Sequence, residues 1–278
     1  MGEYETLIPG ITGDTLLCYE KLSVLAEHYN QNGQGHALLD FLGKNVQTRA
    51  EYFEAAEAFR RRVLLDFVNA GVDFSSFDGV VISPFAKIGA GTVIHASTQI
   101  KSGVCIGENC EIGPMSIIED SRVGNHCVLL ATQVCCSVIE NNVKIGPFCN
   151  IRPNCRIESG VKIGDFVEVK NSTVGKDTHA SHLTYIGDSD VGARVNFGCG
   201  VVTVNFNGKT KGRTVIGDDV FVGCNSNLVA PVTIEDNAYI AAGSTITDNV
   251  PESALGIARS RQTNIPEWVI KNKDRIKK

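Results

Sequence analysis

The chain has 278 residues, 43% of them hydrophobic and only 7% aromatic, and its net charge is −5. It contains no apolar run of membrane-spanning length, and its acidic N-terminus lacks the apolar stretch of a secretory signal. An acidic body with a basic tail also argues against a nucleic-acid-binding protein. The 28 glycines favour short strands with frequent corners over an aromatic-rich core.

The first 75 residues carry helical patterns. Residues Asp14 to Tyr29 place apolar side chains at helical spacing. A second helix is predicted to begin at Thr48, where Thr48-x-x-Glu51 forms a capping box, and to end near Gly71. We therefore expect a helical region over residues 1–75 that packs on the rest of the chain or on a neighbouring subunit.

A six-residue repeat follows. Branched aliphatic residues recur every six positions in three series: Ile88, Ile94, Ile100, Ile106, Ile112 and Ile118; Ile145, Ile151, Ile157, Ile163 and Val169; Ile216, Val222, Leu228, Ile234, Ile240 and Ile246. Neither the period of a strand nor that of a helix gives this spacing. Glycine often comes next and permits a corner, so three hexads close one triangular coil of eighteen residues.

This pattern predicts a mainly β fold. We expect a left-handed parallel β-helix of hexapeptide repeats over residues 76–258, with the small helical region before it. Residues 259–278 hold seven Lys or Arg against two Asp or Glu and are expected to form a short basic C-terminal helix. Such a tail either contacts a polyphosphate ligand or is simply a solvated helix.

The ten cysteines indicate reduced thiols in a cytoplasmic protein, because the chain shows no secretory signal. Cys110, Cys149 and Cys155 fall in a small inward position of the repeat and are interpreted as small hydrophobic residues. Cys135 and Cys136 are adjacent and no C-x-x-C pair is present, so no metal site is expected.

The repeat is interrupted in three places. It shortens between Ile118 and Val123, it is irregular from Cys127 to Val138, and a polar stretch from residue 205 to residue 213 precedes Ile216. We call residues 205–213 the polar loop. Loops that leave a rigid scaffold commonly carry function.

Arg152 and Lys170 replace the expected small residue at one position of the repeat, eighteen residues apart. Equal coil positions stack on one edge, and two stacked cations favour an anion such as phosphate between them. A solvated pair is the alternative.

His179 and His182 lie close together in the next segment. A histidine is suited to act as general base toward an amine, because its pKa lies near neutrality. The histidine spacing, with His95 and His126 distant, lacks the pattern of a zinc site. Spacing alone leaves a structural role for His182 open.

Several longer motifs in residues 145–250 go beyond the generic hexad. They are Ile145-Gly146-Pro147-Phe148, Ile151-Arg152-Pro153, Val167-Glu168-Val169-Lys170-Asn171-Ser172, His182-Leu183-Thr184-Tyr185-Ile186-Gly187-Asp188, Ile216-Gly217-Asp218-Asp219-Val220-Phe221-Val222-Gly223 and Leu228-Val229-Ala230-Pro231-Val232. This stretch resembles the acetyltransferase domain of the bacterial bifunctional N-acetylglucosamine-1-phosphate uridylyltransferase/glucosamine-1-phosphate N-acetyltransferase family. Residues 61–72 more weakly resemble the linker helix of that family.

The resemblance implies an acetyl-CoA-dependent N-acetyltransferase that acts on glucosamine 1-phosphate, needs no metal for acetyl transfer and assembles as a homotrimer. It implies that His182 is the general base. It also implies two binding sets, for the sugar phosphate Arg152, Lys170, Tyr185, Asn196 and Lys211, and for acetyl-CoA Cys199, Asn205, Phe206, Cys224, Ala242 and Arg259.

The chain departs from the family pattern at some of these positions. Cys199 stands for the usual Ala, Cys224 for Ser and Ser181 for Asn, and Phe206-Asn207 replaces Tyr-Asp. Residues 1–75 show no glycine-rich nucleotide signature, so we expect no uridylyltransferase activity and consider a separate uridylyltransferase as a partner.

Two other functions stay open from the sequence. One is acylation of a different sugar, including a nucleotide-linked one, because Arg152 and Lys170 fit either a sugar phosphate or the first phosphate of a nucleotide sugar. The other is a non-catalytic β-helix that supports a separate nucleotidyltransferase. The joint retention of His182, Tyr185 and Lys211 argues against that scaffold role.

Overall fold

The structure, a computed structural model, describes residues 49–276. The predicted helix over Asp14 to Tyr29 lies outside the described residues. Helix α1 (Arg49–Asn69) matches the second predicted helix. Within the described range thirty short strands follow, and the last described residues form two one-turn helices, α2 (Trp268–Lys271) and α3 (Lys273–Ile276).

The strands form three parallel sheets that the chain visits in turn, up to the last coil, where Val250 makes only an isolated bridge to Ile234 of the third sheet. Sheet A contains β1 (Asp73–Phe74), β4 (Val93–Ile94), β7 (Glu111–Ile112), β10 (Val128–Leu129), β13 (Lys144–Ile145), β16 (Lys162–Asp165), β19 (His179–His182), β22 (Asn196–Phe197), β25 (Phe221–Val222), β28 (Tyr239–Ile240) and β30 (Leu255–Gly256).

Sheet B contains β2 (Val81–Ile82), β5 (Gln99–Ile100), β8 (Ile117–Glu119), β11 (Gln133–Cys135), β14 (Asn150–Ile151), β17 (Glu168–Lys170), β20 (Tyr185–Gly187), β23 (Val202–Val204), β26 (Asn227–Val229) and β29 (Thr245–Ile246). Sheet C contains β3 (Lys87–Ile88), β6 (Cys105–Ile106), β9 (Arg122–Val123), β12 (Val138–Ile139), β15 (Arg156–Ile157), β18 (Thr173–Val174), β21 (Ser189–Val191), β24 (Thr214–Ile216) and β27 (Val232–Ile234). The predicted left-handed β-helix of hexapeptide repeats is confirmed.

The aliphatic residue of each hexad points into the coil. Ile94, Ile112, Ile151 and Leu228 are fully buried, and the core runs as one cluster along the stack. Burying one such side chain contributes about 1.5–3 kcal/mol. The repeated burial of one residue type therefore holds successive coils in register.

The small inward position is filled as the sequence predicts. Cys110, Cys149 and Cys155 are buried, and the cysteines of the described range are free thiols. Burial raises the pKa of Cys149 to about 11, so this thiol is protonated at neutral pH. These three cysteines pack as hydrophobic residues.

The stretch from Cys127 to Val138 is less irregular than its sequence indicates. It forms one coil of three strands whose inward residues are Leu129, Val134 and Ile139, all buried. These residues are five positions apart rather than six, so the coil is complete but shorter. Counting in steps of six therefore loses the inward positions in this stretch, although the strands of the coil keep their register in the structure.

Helix α1 packs on the first coils. Phe59, Val63 and Leu64 are buried on its inner side. The Arg60 guanidinium donates hydrogen bonds to the carbonyl oxygens of Phe77, at 2.9 Å, and Val80, at 2.7 Å. The helix thus supplies partners for backbone groups at the N-terminal end of the stack. No helix within residues 49–276 is long and apolar enough to cross a membrane.

Candidate active site

His182 lies at the corner where the chain passes from sheet A to sheet B. It is the last residue of β19, and Leu183 turns the chain with a φ of +46°. The His182 side chain is exposed, and within the described residues its imidazole makes no hydrogen bond. Both ring nitrogens are therefore open to a substrate.

Cys199, Cys224 and Ala242 occupy the same corner on the three successive coils that follow His182. The amide of the residue after each of them donates to the carbonyl of the corner residue one coil before, at 3.4 Å onto His182, 2.8 Å onto Cys199 and 2.8 Å onto Cys224. Cys224 and Ala242 are exposed and Cys199 is half-buried. Three predicted acetyl-CoA residues thus form one straight edge that begins at the predicted base.

Lys170 and Lys211 bring their ammonium groups together on the far side of sheet B. Lys170 ends β17, and Lys211 returns toward it from the polar loop. The adjacent Lys170 side chain lowers the pKa of Lys211, because the two amines lie close enough to interact directly and their positive charges repel each other. Two cations held this close favour a bound anion.

The polar loop is a small hairpin with its own internal bonds. The Asn207 Oδ1 atom accepts hydrogen bonds from the Lys209 amide, at 2.9 Å, and from the Thr210 amide, at 2.8 Å. Phe206 and Lys211 form an antiparallel bridge at its base. This bridge directs Lys211 back to the body of the β-helix, which the sequence could not indicate.

Asp188 anchors the two lysines. It is buried, and its carboxylate accepts hydrogen bonds from the side-chain amides of Asn171, at 2.6 Å, and Asn205. Burial alone would raise the pKa of Asp188, but these two bonds and the charges of Lys170 and Lys211 outweigh it and lower the pKa. Asp188 therefore stays ionised and balances one of the two positive charges.

Arg152 stacks beside Lys170 as the eighteen-residue spacing predicts, because Ile151 pairs with Val169 in the ladder. Its guanidinium already has an anionic partner within the chain, however. Arg152 Nη1 donates to Glu168 Oε1 at 2.8 Å, and this bond raises the pKa of Arg152. The next strand brings Tyr185 alongside Glu168.

Asn205 links these groups to the polar loop. Its Nδ2 atom lies 3.4 Å from the Tyr185 hydroxyl and also bonds Asp188. We name Arg152, Lys170, Tyr185, Asp188, Asn205 and Lys211 the anion cluster. Asn205 was predicted for acetyl-CoA, and the structure places it in this cluster instead of beside Cys199 and Cys224.

The other predicted residues lie elsewhere. Phe206 is exposed on the polar loop. Arg259 passes near the end of the edge formed by Cys199, Cys224 and Ala242, since a Cβ added at Gly243 would lie 3.7 Å from Arg259 Cδ. Asn196 is on the outer surface of sheet A, in register with His179. Within a single chain, Asn196 and His182 are therefore separated from the anion cluster by the width of sheet B.

Glu168, Asn171 and Asp188 are the contacts that sequence reasoning missed. All three stood inside the motifs of the resemblance, and each lies one coil from a predicted residue. Reading every polar neighbour across the ladder, not only the cations, would have found them. Among residues 49–276, no group of three or more His, Cys, Asp or Glu is placed to hold a metal ion.

The family model described as bacterial transferase hexapeptide (six repeats) matches residues 85–120, 136–171 and 213–248. These segments lie within the β-helix, and of the predicted site residues they contain Arg152, Lys170, Cys224 and Ala242. The chain therefore carries the repeat of this transferase family in each of the three segments. For this transferase, the resemblance predicted from the motifs is confirmed by two curated relatives, both called bifunctional protein GlmU.

The relative from Caldicellulosiruptor saccharolyticus is 45% identical over 280 residues, which cover 92% of this chain and 60% of the relative. The relative from Thermoanaerobacter pseudethanolicus is 52% identical over 233 residues, covering 84% of this chain and 50% of the relative. The transferase thus spans only about half to three-fifths of the length of these relatives. A solved UDP-N-acetylglucosamine acyltransferase from Campylobacter jejuni is 19% identical, with a TM-score of 0.41, and covers 72% of this chain and 77% of its own.

Proposed function

We propose that the chain is an acetyl-CoA-dependent N-acetyltransferase that acts on an amino-sugar phosphate, glucosamine 1-phosphate, in the synthesis of UDP-N-acetylglucosamine. The observation that carries this proposal is the grouping of Lys170 and Lys211 around the buried carboxylate of Asp188, which Asn171 and Asn205 hold by hydrogen bonds. Two ammonium groups against one carboxylate leave a net positive site suited to phosphate. The similarity to bifunctional GlmU supports the choice of sugar phosphate.

The reaction is a direct acyl transfer. His182 accepts a proton as the sugar nitrogen attacks the carbonyl carbon of the thioester, a C–N bond forms, and the C–S bond breaks to release the coenzyme A thiol. The open imidazole of His182 fits this role, because no protein group competes for its nitrogens within the described residues.

Acetyl-CoA would lie along the edge formed by Cys199, Cys224 and Ala242, with its thioester toward His182. Side chains along this edge are small, so the cofactor can approach the backbone closely. Arg259 lies beyond Ala242, where a cation suits the phosphates of the cofactor. No metal takes part in this step.

The proposal includes a homotrimer. Met115, Phe148, Phe166 and Leu183 all lie at the corner between sheets A and B, each with a positive φ and each more than half exposed. We call these four residues the corner ridge; the rings of Phe148 and Phe166 stack with centroids 5.4 Å apart. Large exposed apolar residues in a row are typical of an interface.

A second copy would also complete the site. Asn196 faces outward from sheet A, and the anion cluster lies on sheet B and its far corner, so packing sheet A of one copy toward sheet B of another joins the two sets. A cyclic arrangement closes such a heterologous contact. Light scattering should give the mass of a trimer, and Phe166→Ser should lower it; a wild-type monomer at micromolar concentration would contradict this part.

The substrate test is a thiol-release assay with acetyl-CoA and four acceptors: glucosamine 1-phosphate, glucosamine 6-phosphate, glucosamine and UDP-glucosamine. We expect the highest kcat/KM for the 1-phosphate. A preference for UDP-glucosamine would favour the alternative of a nucleotide-linked acceptor, and the absence of thiol release with all four would favour a non-catalytic partner of a nucleotidyltransferase.

Two further parts of the proposal concern the setting. We expect a cytoplasmic protein, in keeping with its free thiols. We also expect that the chain forms no UDP-N-acetylglucosamine from UTP and N-acetylglucosamine 1-phosphate, so that a separate uridylyltransferase would complete the synthesis. Magnesium-dependent release of pyrophosphate by the purified chain would contradict this expectation.

A further inference from the structure

Cys135 and Cys136 form a pair of neighbouring thiols at the corner between sheets B and C. Cys135 ends β11, and Cys136 turns the chain with a φ of +47°. Their Sγ atoms are 3.4 Å apart, Cys136 is exposed and Cys135 is half-buried. Both sulfurs are thus presented on the same side of the corner.

The backbone holds this arrangement from both sides. The Cys136 amide donates to the Glu119 carbonyl at 3.0 Å, and the Asn154 amide donates to the Cys136 carbonyl at 3.0 Å. The neighbouring coils therefore fix the corner before any ligand arrives. Preorganisation of this kind lowers the entropic cost of binding.

The spacing of the two sulfurs restricts what they can bind together. For a bond length of about 2.3 Å, a separation of 3.4 Å gives an S–X–S angle of about 95° at the bound atom. A linear two-coordinate ion would need a separation of about 4.6 Å at that bond length, and a disulfide needs about 2.0 Å. Tetrahedral zinc needs further protein ligands, and residues 49–276 offer no group of three.

We propose that Cys135 and Cys136 are a bidentate site for trivalent arsenic compounds. Arsenic in this state forms pyramidal compounds with bond angles close to a right angle, and two thiolates satisfy it when a third group is already attached. The binding step is a condensation: two S–H protons and the arsenic-bound oxygen leave as water, and two As–S bonds form. No electron is transferred, so no oxidant or reductant is needed.

The protonation of the pair agrees with this chemistry. The hydrogen bond with Cys136, then burial, then the charges of Cys136 and Glu119 raise the pKa of Cys135 to about 11. At neutral pH the pair therefore keeps a proton, and a bare metal cation would have to displace it. An arsenic compound that carries an oxygen removes both thiol protons as water, so two adjacent negative thiolates need not form.

The test uses phenylarsine oxide with the full chain, reduced by a phosphine so that no added thiol competes. We expect one phenylarsenic group per chain by intact mass. Dithiothreitol should remove the phenylarsenic group, because a dithiol can replace both As–S bonds at once. 2-Mercaptoethanol, added at the same concentration of thiol groups, should not remove it. The site does not depend on the proposed function, and no activity is measured.

Cys136→Ser and Cys135→Ser should each weaken binding by about 10²- to 10⁴-fold, the gain usual for two linked contacts. Cys224→Ser, which removes an exposed thiol on another corner, should bind like the wild type. Alkylation of the labelled wild type should leave the peptide with Cys135 and Cys136 unmodified, a readout that needs no variant. Full labelling of Cys136→Ser, or alkylation of both thiols in labelled wild type, would overturn the proposal.

Discussion

Two parts of the same outer column on sheet B treat their charges differently. In the coils nearer the N-terminus, Lys101 lies beside Glu119 and donates to its carboxylate at 2.8 Å. Four coils after Lys101 in the same column, Lys170 lies beside a second lysine, Lys211, and the two share the single carboxylate of Asp188. The first arrangement needs nothing more, whereas the second has a positive charge left for a ligand.

The inner column shows no such difference. Ile100 and Ile118 behind the first pair are as fully buried as Ile151 and Val169 behind the second. The buried residues therefore stabilise both parts of the stack alike, and the two parts differ only in their outward side chains. Substitutions can separate these two roles.

The largest effect is expected at His182. We expect His182→Ala to lower kcat about 10²- to 10⁴-fold, the usual contribution of a general base. The melting temperature should stay near that of the wild type, since the exposed imidazole makes no hydrogen bond within residues 49–276. His179→Ala is the matched control and should change kcat far less; equal losses in the two variants would remove His182 from the role of base.

Core substitutions should affect both parts of the stack alike. Ile100→Ala and Ile151→Ala each remove a fully buried side chain, so each should lower the free energy of unfolding by about 2–5 kcal/mol. Urea denaturation of both variants tests this. A much smaller loss for Ile100→Ala would show that the first coils contribute less to stability than their packing indicates.

Lys170 and Lys101, which lie in the same outer column of sheet B, should give the sharpest contrast in substrate binding. Lys170→Met removes one charged contact with the anion, so the KM for glucosamine 1-phosphate should rise about 10- to 100-fold. Lys101→Met, in the same column and bonded to Glu119, should leave that KM unchanged. Steady-state kinetics with saturating acetyl-CoA measures both KM values. Equal changes in the two variants would show that Lys170 contributes no more to substrate binding than Lys101 does.

A smaller effect concerns pH. Because the folded-state pKa of Asp188 is lowered, its contribution to stability is present above the unfolded pKa of about 3.9 and is lost as the pH falls through the folded value. Asp188→Asn should be less stable than the wild type at pH 7, and the gap should narrow below about pH 4. Denaturant titrations across this range measure the gap.

Asp120 provides the control for that titration. It lies at the same corner in an earlier coil and is exposed. Asp120→Asn should therefore change the free energy of unfolding little at pH 7, because an exposed carboxylate loses few contacts. A gap as large as that of Asp188→Asn would show that the corner position, not the bonds to Asn171 and Asn205, is responsible.

The sequence predicted the fold well wherever the hexad was unbroken, because a buried position repeats whatever the outer residues are. It also placed Arg152 and Lys170 in one column, since that inference needs only the length of a coil. The count failed near Val134, where two steps of five residues keep the inward direction but not the number six.

The rest of the site was beyond such counting. Lys211 reaches Lys170 only because the bridge between Phe206 and Lys211 folds the polar loop back, and no periodicity encodes that path. The resemblance supplied Asn205 as a site residue but not its location, which depends on its hydrogen bond to Asp188. Loop geometry therefore decided what the repeat could not.

Because the chain passes through the three sheets once per coil, the length of the stack is set by the number of coils. Ile88 and Ile106 are equivalent residues of consecutive coils, so removing residues 89–106 would join Ile88 to Gly107 in the correct phase. The stack would shorten by about 4.8 Å, the spacing of neighbouring strands, and each remaining coil would keep a neighbour of the same kind. The coils between α1 and Arg152 thus act as a spacer of adjustable length, which sets how far the helix stands from the anion cluster without altering either.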